Sequence, residues 1–162
     1  TTAINLSASL ADLGKKILVI DTDPQGNTSS GLGVEKNEVE NTVYELLIGE
    51  TTIEECIQKE VFENLDIISS NINLAAAEIE LVGAEEKEYI LKKAIDKVKK
   101  NYDFVLIDCP PSLSRNNILV RRFLPQNWLY NKCTAYTYSV HLYVGFLLPG
   151  IAPLYEAICN SH

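Results

Sequence analysis

The chain has 162 residues, of which 46% are apolar and 22% charged, enough for one domain with its own core and ordinary for a soluble globular protein. Its net charge of −8 argues against bulk attraction to nucleic acid as the main feature, although a local basic patch is compatible with it.

Residues 2–13 carry apolar side chains at Ile4, Leu6, Ala8, Leu10, Ala11 and Leu13, a helical pattern with a broad apolar face. Gly14 follows as a stop, with Lys15 and Lys16 placed to complement the helix dipole. Ile17-Leu18-Val19-Ile20-Asp21 is a short apolar run, hence a buried, parallel strand ending in a carboxylate. Asp23 follows two residues on, Pro24 stops the strand pattern, and Gly26 permits a turn. The polar Thr28–Gly33 stretch is expected to be a loop. Asn41 or Thr42 can cap a short helix through Ile48, ended by Gly49. Thr51 or Thr52 can cap another, with Glu54 and Glu55 in its first turn. Leu65–Ile68 is a strand candidate, and Leu74–Val82 a helix favoured by its Ala run. Glu85–Lys100 is a long amphipathic helix with Tyr89, Ile90, Ala94, Ile95 and Val98 as its buried stripe. Phe104–Ile107 is a second buried strand, and it ends in Asp108. Helices between short apolar strands imply crossover units, so the fold expected is α/β, a parallel sheet with flanking helices.

Two buried strands that each end in an acid form the chemical constellation. Carboxylates just past strand ends sit where open α/β sheets hold their ligands. Phosphate-binding enzymes hold magnesium with such an acid, directly or through water, and Mg²⁺ needs only one or two carboxylates. The alternative for Asp21 and Asp23 is a plain acidic turn, and for Asp108 a strand-end acid that caps the next helix. No G-x-x-x-x-G-K-[ST] phosphate cradle occurs in the sequence.

The run from Thr1 to Ala11, then Gly14-Lys15-Lys16 through Asp21-Thr22-Asp23-Pro24-Gln25-Gly26-Asn27, closely resembles the ParA/Soj family of partitioning ATPases. Ser70-Asn71-Ile72 with Ala77–Leu81, and Tyr102 through Ser112, resemble that family's middle segment and second acidic motif. The resemblance covers about residues 1–113. It implies a doubly wound, P-loop NTPase-like fold that binds ATP and Mg²⁺. It places a deviant Walker loop just before Thr1, so the chain is expected to be truncated at its N-terminus. A start at Thr1-Thr2 in a chain with no Met fits a fragment or processed product. Thr1 resembles the second residue after the Walker lysine, near the α-phosphate, with Thr2 beside it in the nucleotide-binding group. Asp23 resembles the acid that positions the attacking water. Asp108 resembles the Walker B acid that acts on magnesium through water, and Asp21 a structural or supporting acid. Asn5 and Asn27 rank below them as polar contacts.

The resemblance also implies an ATP-sandwiched homodimer, non-specific DNA binding by that dimer, and a ParB-like centromere-binding partner. It implies a cytoplasmic, nucleoid-associated protein with no membrane anchoring. The related alternative is a MinD-like membrane-cycling ATPase; the other is a non-enzymatic remnant, since without a cradle the chain alone is expected to bind ATP poorly.

Composition changes near Leu113, which divides the chain into a nucleotide-binding part, 1–113, and an atypical tail, 114–162. Before Leu113 every cation is Lys, whereas Arg115, Arg121, Arg122, Trp128, His141 and His162 all follow it, and Glu156 is the one acid after Asp108. The resemblance ends at the same place, from which an out-of-frame or rearranged tail is expected. Arg121, Arg122, Trp128, Tyr130 and Lys132 interleave cations with aromatics, a weak single-strand nucleic-acid pattern. Residues 134–155 lack Asp, Glu, Lys and Arg, but their Thr, Tyr, Ser and Pro content argues against a membrane span. His141 has no partner that would make it a metal site. Cys56, Cys109, Cys133 and Cys159 have no CxxC spacing, so they read as reduced thiols of an intracellular protein.

Overall fold

The computed structural model describes residues 2–36, 38–80 and 90–109, together with the backbone of 141–146. Its centre is made by the two apolar runs that end in acids. Ile17–Asp21 (β1) and Phe104–Cys109 (β4) pair in parallel, with Ile17 opposite Phe104 and Asp21 opposite Asp108. Leu65–Ile68 (β3) flanks β1 on the other side, also in parallel. All five β1 residues are buried, because a central strand covered on both faces has no side for water.

The sheet is mixed rather than wholly parallel. Ile57–Phe62 (β2) pairs antiparallel with β3, and His141–Phe146 (β5) antiparallel with β4, giving the order β2-β3-β1-β4-β5. The parallel strands are the three with near-continuous apolar sequence. Strand β2 is a half-solvated edge whose register shifts between Gln58 and Phe62, with Glu60 at φ 53°. Such an irregular, charged edge resists further pairing.

Helices cover both faces, as in a doubly wound fold. One face carries Leu18, Ile20, Ile68, Val105 and Ile107 against Val43–Ile48 (α3), Ile53–Cys56 (α4), Leu74–Glu80 (α5) and Ile90–Val98 (α6). The opposite face carries Ile17, Val19, Leu65, Ile67, Phe104 and Leu106 against Thr2–Asp12 (α1) and the segment containing Leu32 and Val34. Alternation along a strand then decides where the acids go. Asp21 follows Ile17 and Val19, and Asp108 follows Phe104 and Leu106, so both belong to the α1 face.

Helix α1 meets the core through Ala3, Ser7 and Ala11, a stripe of small residues at four-residue spacing, while Leu13 lies past its end and is exposed. Small side chains let the helix approach the sheet closely, and buried Ser7 satisfies its hydroxyl on the Ile4 carbonyl at 2.9 Å. Gly14 ends the segment at φ 75°. Helix α3 starts where the sequence suggests: Thr42 and Glu45 form a reciprocal capping box, and Gly49 closes the helix at φ 82°. Helix α4 has only four residues before the chain turns into β2. Leu81 and Val82, Tyr89 and the rest of 85–89, Cys133, Cys159 and the Arg121–Lys132 patch lie outside the described residues. Among the described residues no helix is long and apolar enough to cross a membrane.

Candidate functional site

At the carboxyl ends of the parallel strands the chain brings three acids together. Asp21 and Asp108 are register neighbours on β1 and β4. Asp23 stands two residues past Asp21, half-buried, and its charge acts on Asp108. The strand ends are locked to each other: Thr22 donates to the Asp108 carbonyl through its backbone N at 2.8 Å and its Oγ1 at 2.6 Å.

The stretch after Asp23 is a compact turn feeding a helix. The Gln25 N–H donates to Asp23 Oδ1 at 2.9 Å, and the Gly26 N–H to the Asp23 carbonyl at 2.8 Å. Lys36 Nζ donates to the Gln25 carbonyl at 2.6 Å, which holds the outer side of the turn. Gly26 is required here twice over. Its φ is 58°, and a Cβ on it would stand 2.8 Å from the Ser70 carbonyl oxygen. Asn27–Gly31 (α2) then follows, where the sequence suggests a loop.

Helix α2 is what the acids face. Its first turn presents two consecutive buried hydroxyls, Thr28 and Ser29. Thr28 Oγ1 donates to Asp108 Oδ2 at 2.5 Å. Ser29 donates twice to Asp21 Oδ2, from its N at 2.8 Å and its Oγ at 2.7 Å, while the Asp23 N–H donates to Asp21 Oδ1 at 3.1 Å. Ser29 Oγ also accepts from the Ser70 N–H at 3.1 Å, which ties in the end of β3.

Burial pushes the Asp21 carboxyl up to about 6, against the opposing pull of its hydrogen bonds from Ser29 and Asp23. Burial likewise raises Asp108, and the Thr28 hydrogen bond opposes it. The two acids differ in their donors. Asp21 takes three hydrogen bonds and serves as the hub of the turn. Asp108 and Asp23 are less enclosed.

Among the described residues oxygen donors dominate this end of the sheet, and Cys109 Sγ is buried on the opposite face. Among the described residues no three His, Cys, Asp or Glu converge into a cage. Such a donor set suits a hard cation like Mg²⁺, which keeps most of its waters and takes one or two carboxylates plus phosphate oxygens. Thr1 lies outside the described residues, Thr2 opens α1 and is exposed, and Asn5 and Asn27 are exposed on α1 and α2. Sequence reasoning missed Thr28, Ser29, Lys36 and Ser70. The signal for the first two was a pair of adjacent hydroxyls directly after a turn glycine.

A cleft of about 750 Å³ opens at the opposite end of the sheet, lined by Lys16, Lys59, Asp66 and Tyr102 among others. Its central acid is already occupied: Asp66 accepts from Tyr102 Oη at 2.6 Å and from the Glu60 N–H at 2.8 Å. Those groups satisfy one another and do not converge on a ligand.

A family model described as an AAA domain matches residues 1–122. The sporulation initiation inhibitor protein Soj of Bacillus subtilis is 51% identical over 113 residues, covering 70% of this chain and 45% of the relative. The chromosome-partitioning ATPase Soj of Treponema pallidum is 50% identical over 113 residues, covering 70% and 44%. Among solved structures, cobyrinic acid a,c-diamide synthase from Mycobacterium smegmatis with bound ATP analog and magnesium superposes with a TM-score of 0.67 at 33% identity, covering 73% of this chain and 48% of that one. A putative plasmid partition protein from Borrelia burgdorferi bound to AMPPNP gives 0.61 at 29%, covering 72% and 50%. The chain thus spans less than half the length of these two curated relatives. With an AAA-domain match over most of its length and Soj relatives of this similarity, the chain belongs to the ParA/Soj family.

Proposed function

We infer that the protein is a ParA/Soj-type ATPase, which binds ATP with Mg²⁺ and hydrolyses it in chromosome or plasmid partitioning. The observation that carries this reading is the side-by-side placement of Asp21 and Asp108 at parallel strand ends, with the Asp23 turn directly above them. It is supported by relatives whose names denote partitioning ATPases and by related structures that hold ATP analogs and magnesium. A magnesium ion bound with the nucleotide would supply neutralisation of the phosphate charge. Asp108 would hold that ion through water, and Asp23 would position the attacking water. Thr1 and Thr2 contact the nucleotide at the start of α1. Asp21 keeps the Asp23 turn in place.

In this reading residues 1–113 form the nucleotide-binding part, and 114–162 are a tail of separate origin. The protein works in the cytoplasm on the nucleoid as an ATP-dependent homodimer. It binds DNA without sequence preference, and a ParB-like centromere-binding protein stimulates it.

The test is Mg²⁺-dependent ATP binding and hydrolysis by the full-length protein, alongside Asp23→Ala and Asp108→Asn. Asp23→Ala should bind ATP as the unsubstituted protein does and hydrolyse it at least about 100-fold more slowly, the lower range for a positioned proton-handling or water-orienting group. Asp108→Asn should raise the Mg²⁺ concentration needed for half-maximal binding. An unsubstituted protein that takes up no ATP with Mg²⁺ overturns the reading.

A further inference from the structure

Asp21 and Asp108 are acids on neighbouring strands, and the Asp108 charge adds to the burial that raises the Asp21 carboxyl. Each acid nevertheless has its own hydroxyl, and the two hydroxyls come from consecutive residues of α2. Ser29 anchors Asp21, the hub of the turn. Thr28 reaches across 80 positions of sequence to Asp108 Oδ2 at 2.5 Å, a short, charge-assisted hydrogen bond.

A hydroxyl that only anchored the helix would have nearer partners. Threonines in a first helical turn ordinarily bond to local backbone, and among the described residues no side chain caps α2, whose N-cap is left-handed Gly26. Thr28 instead spends its proton on the carboxylate while it is itself 1% exposed. The bond pins Oδ2, and pinning one oxygen sets the plane of the carboxyl group and hence the direction of Oδ1.

We propose that Thr28 is a positioning residue for the metal-bound nucleotide: its hydroxyl fixes the Asp108 carboxyl plane so that the acid meets the hydrated divalent cation in one orientation. This rests on the ATPase reading above and adds a residue to it. Partners that orient metal-holding groups in this way typically change metal affinity or activity by about 10–100-fold when removed. The proposal also explains why α2 forms at the site from helix-poor residues: its first turn is held by the acids it orients.

The test compares the full-length protein with Thr28→Val and Thr28→Ser. Valine keeps the shape and deletes the hydroxyl, whereas serine keeps the hydroxyl. Mn²⁺ serves as the probe, titrated in the presence of ATP and followed by electron paramagnetic resonance. Thr28→Val should weaken Mn²⁺ uptake in the ternary complex by about 10–100-fold, with Thr28→Ser within a few-fold of the unsubstituted protein. In steady-state hydrolysis the half-saturating Mg²⁺ concentration should rise in Thr28→Val more than the KM for ATP. Equal Mn²⁺ affinity in Thr28→Val and the unsubstituted protein overturns the role of Thr28 and leaves the ATPase reading standing. Failure of the unsubstituted protein to bind Mn²⁺ with ATP overturns both. Should Thr28→Val not fold, the Thr28 hydroxyl proton of the unsubstituted protein gives the second measurement. It should exchange slowly with water and shift when Mg²⁺ and ATP are added, and a rapidly exchanging or unresponsive proton overturns the proposal.

Discussion

Ser29 holds Asp21 by two hydrogen bonds to one oxygen, from its backbone N at 2.8 Å and its Oγ at 2.7 Å, in a place from which water is excluded. The carboxyl gains these donors and loses its hydration. Desolvation wins, and the group titrates near pH 6 in the folded protein. In the unfolded chain it titrates near the ordinary value of about 3.9. Between those values the folded state binds the proton that the unfolded state has released. The Asp21 contribution to stability is therefore fully present below about pH 4 and is lost as pH rises towards 6, by on the order of 3 kcal/mol in all. Asp21→Asn should remove this fall. Urea midpoints measured at intervals from pH 4 to 7 give the check: the difference between the two proteins should move in favour of Asp21→Asn as pH rises. A pH-independent difference would show that Asp21 is not buried as described.

Gly26→Ala and Gly33→Ala separate close approach from backbone conformation. Both glycines have positive φ, 58° and 83°, and a left-handed conformation costs an alanine roughly 1–2 kcal/mol at either one. A Cβ at Gly33 meets nothing within 4 Å. At Gly26 it meets the Ser70 carbonyl oxygen at 2.8 Å, which is backbone and cannot swing aside. Gly26→Ala should thus lose more stability than Gly33→Ala and should also displace the Asp23 turn. Chemical denaturation ranks the pair, and equal losses would argue against the Gly26–Ser70 contact.

The strands that carry the acids were legible because their runs are apolar at every position, as a strand buried on both faces demands. Helix α3 was legible because Thr42, Glu45 and Gly49 carry both of its end signals in sequence. Strand β2 was not: Ile57-Gln58-Lys59-Glu60-Val61-Phe62 is an edge with a register shift, so neither period nor burial marks it. Helix α2 was hidden for a different reason. Asn27-Thr28-Ser29-Ser30-Gly31 has poor helix propensity, and its turn is held by bonds from Thr28 and Ser29 to acids 80 and 8 residues away in sequence. Strand-end acids can be read from a local pattern. Their hydroxyl partners depend on which strands lie side by side, and a single local window does not contain that.

The Thr42 capping box gives a prediction independent of the site. Thr42 Oγ1 accepts from the Tyr44 N–H at 3.2 Å, and Glu45 accepts from the Thr42 N–H at 2.8 Å. Thr42→Ala should lower stability by about 1 kcal/mol, the usual loss for a helix N-cap. The Thr42 side chain is buried, so the loss should not fall near zero. Thermal unfolding of the variant measures it, and an unchanged midpoint would contradict the box.

Two buried serines a short way apart should respond in opposite ways to the same change. Ser69 Oγ is buried and has no hydrogen-bond partner among the described residues, so its desolvation is uncompensated. Ser69→Ala removes that cost and should leave stability unchanged or raise it. Ser29 Oγ is buried between a donor and an acceptor, the Ser70 N–H and Asp21 Oδ2. Ser29→Ala leaves the Ser70 N–H unsatisfied away from water, at about 1–3 kcal/mol, and takes one of two donors from Asp21 Oδ2. It should also loosen the turn that carries Asp23, because Asp21 then keeps only the backbone donors of Ser29 and Asp23. Urea midpoints rank the two variants, and amide exchange at Ser70 reports the second effect directly. A Ser29→Ala protein with native stability and a protected Ser70 amide would mean that the carboxylate ends of β1 and β3 are tied together by something other than this hydroxyl.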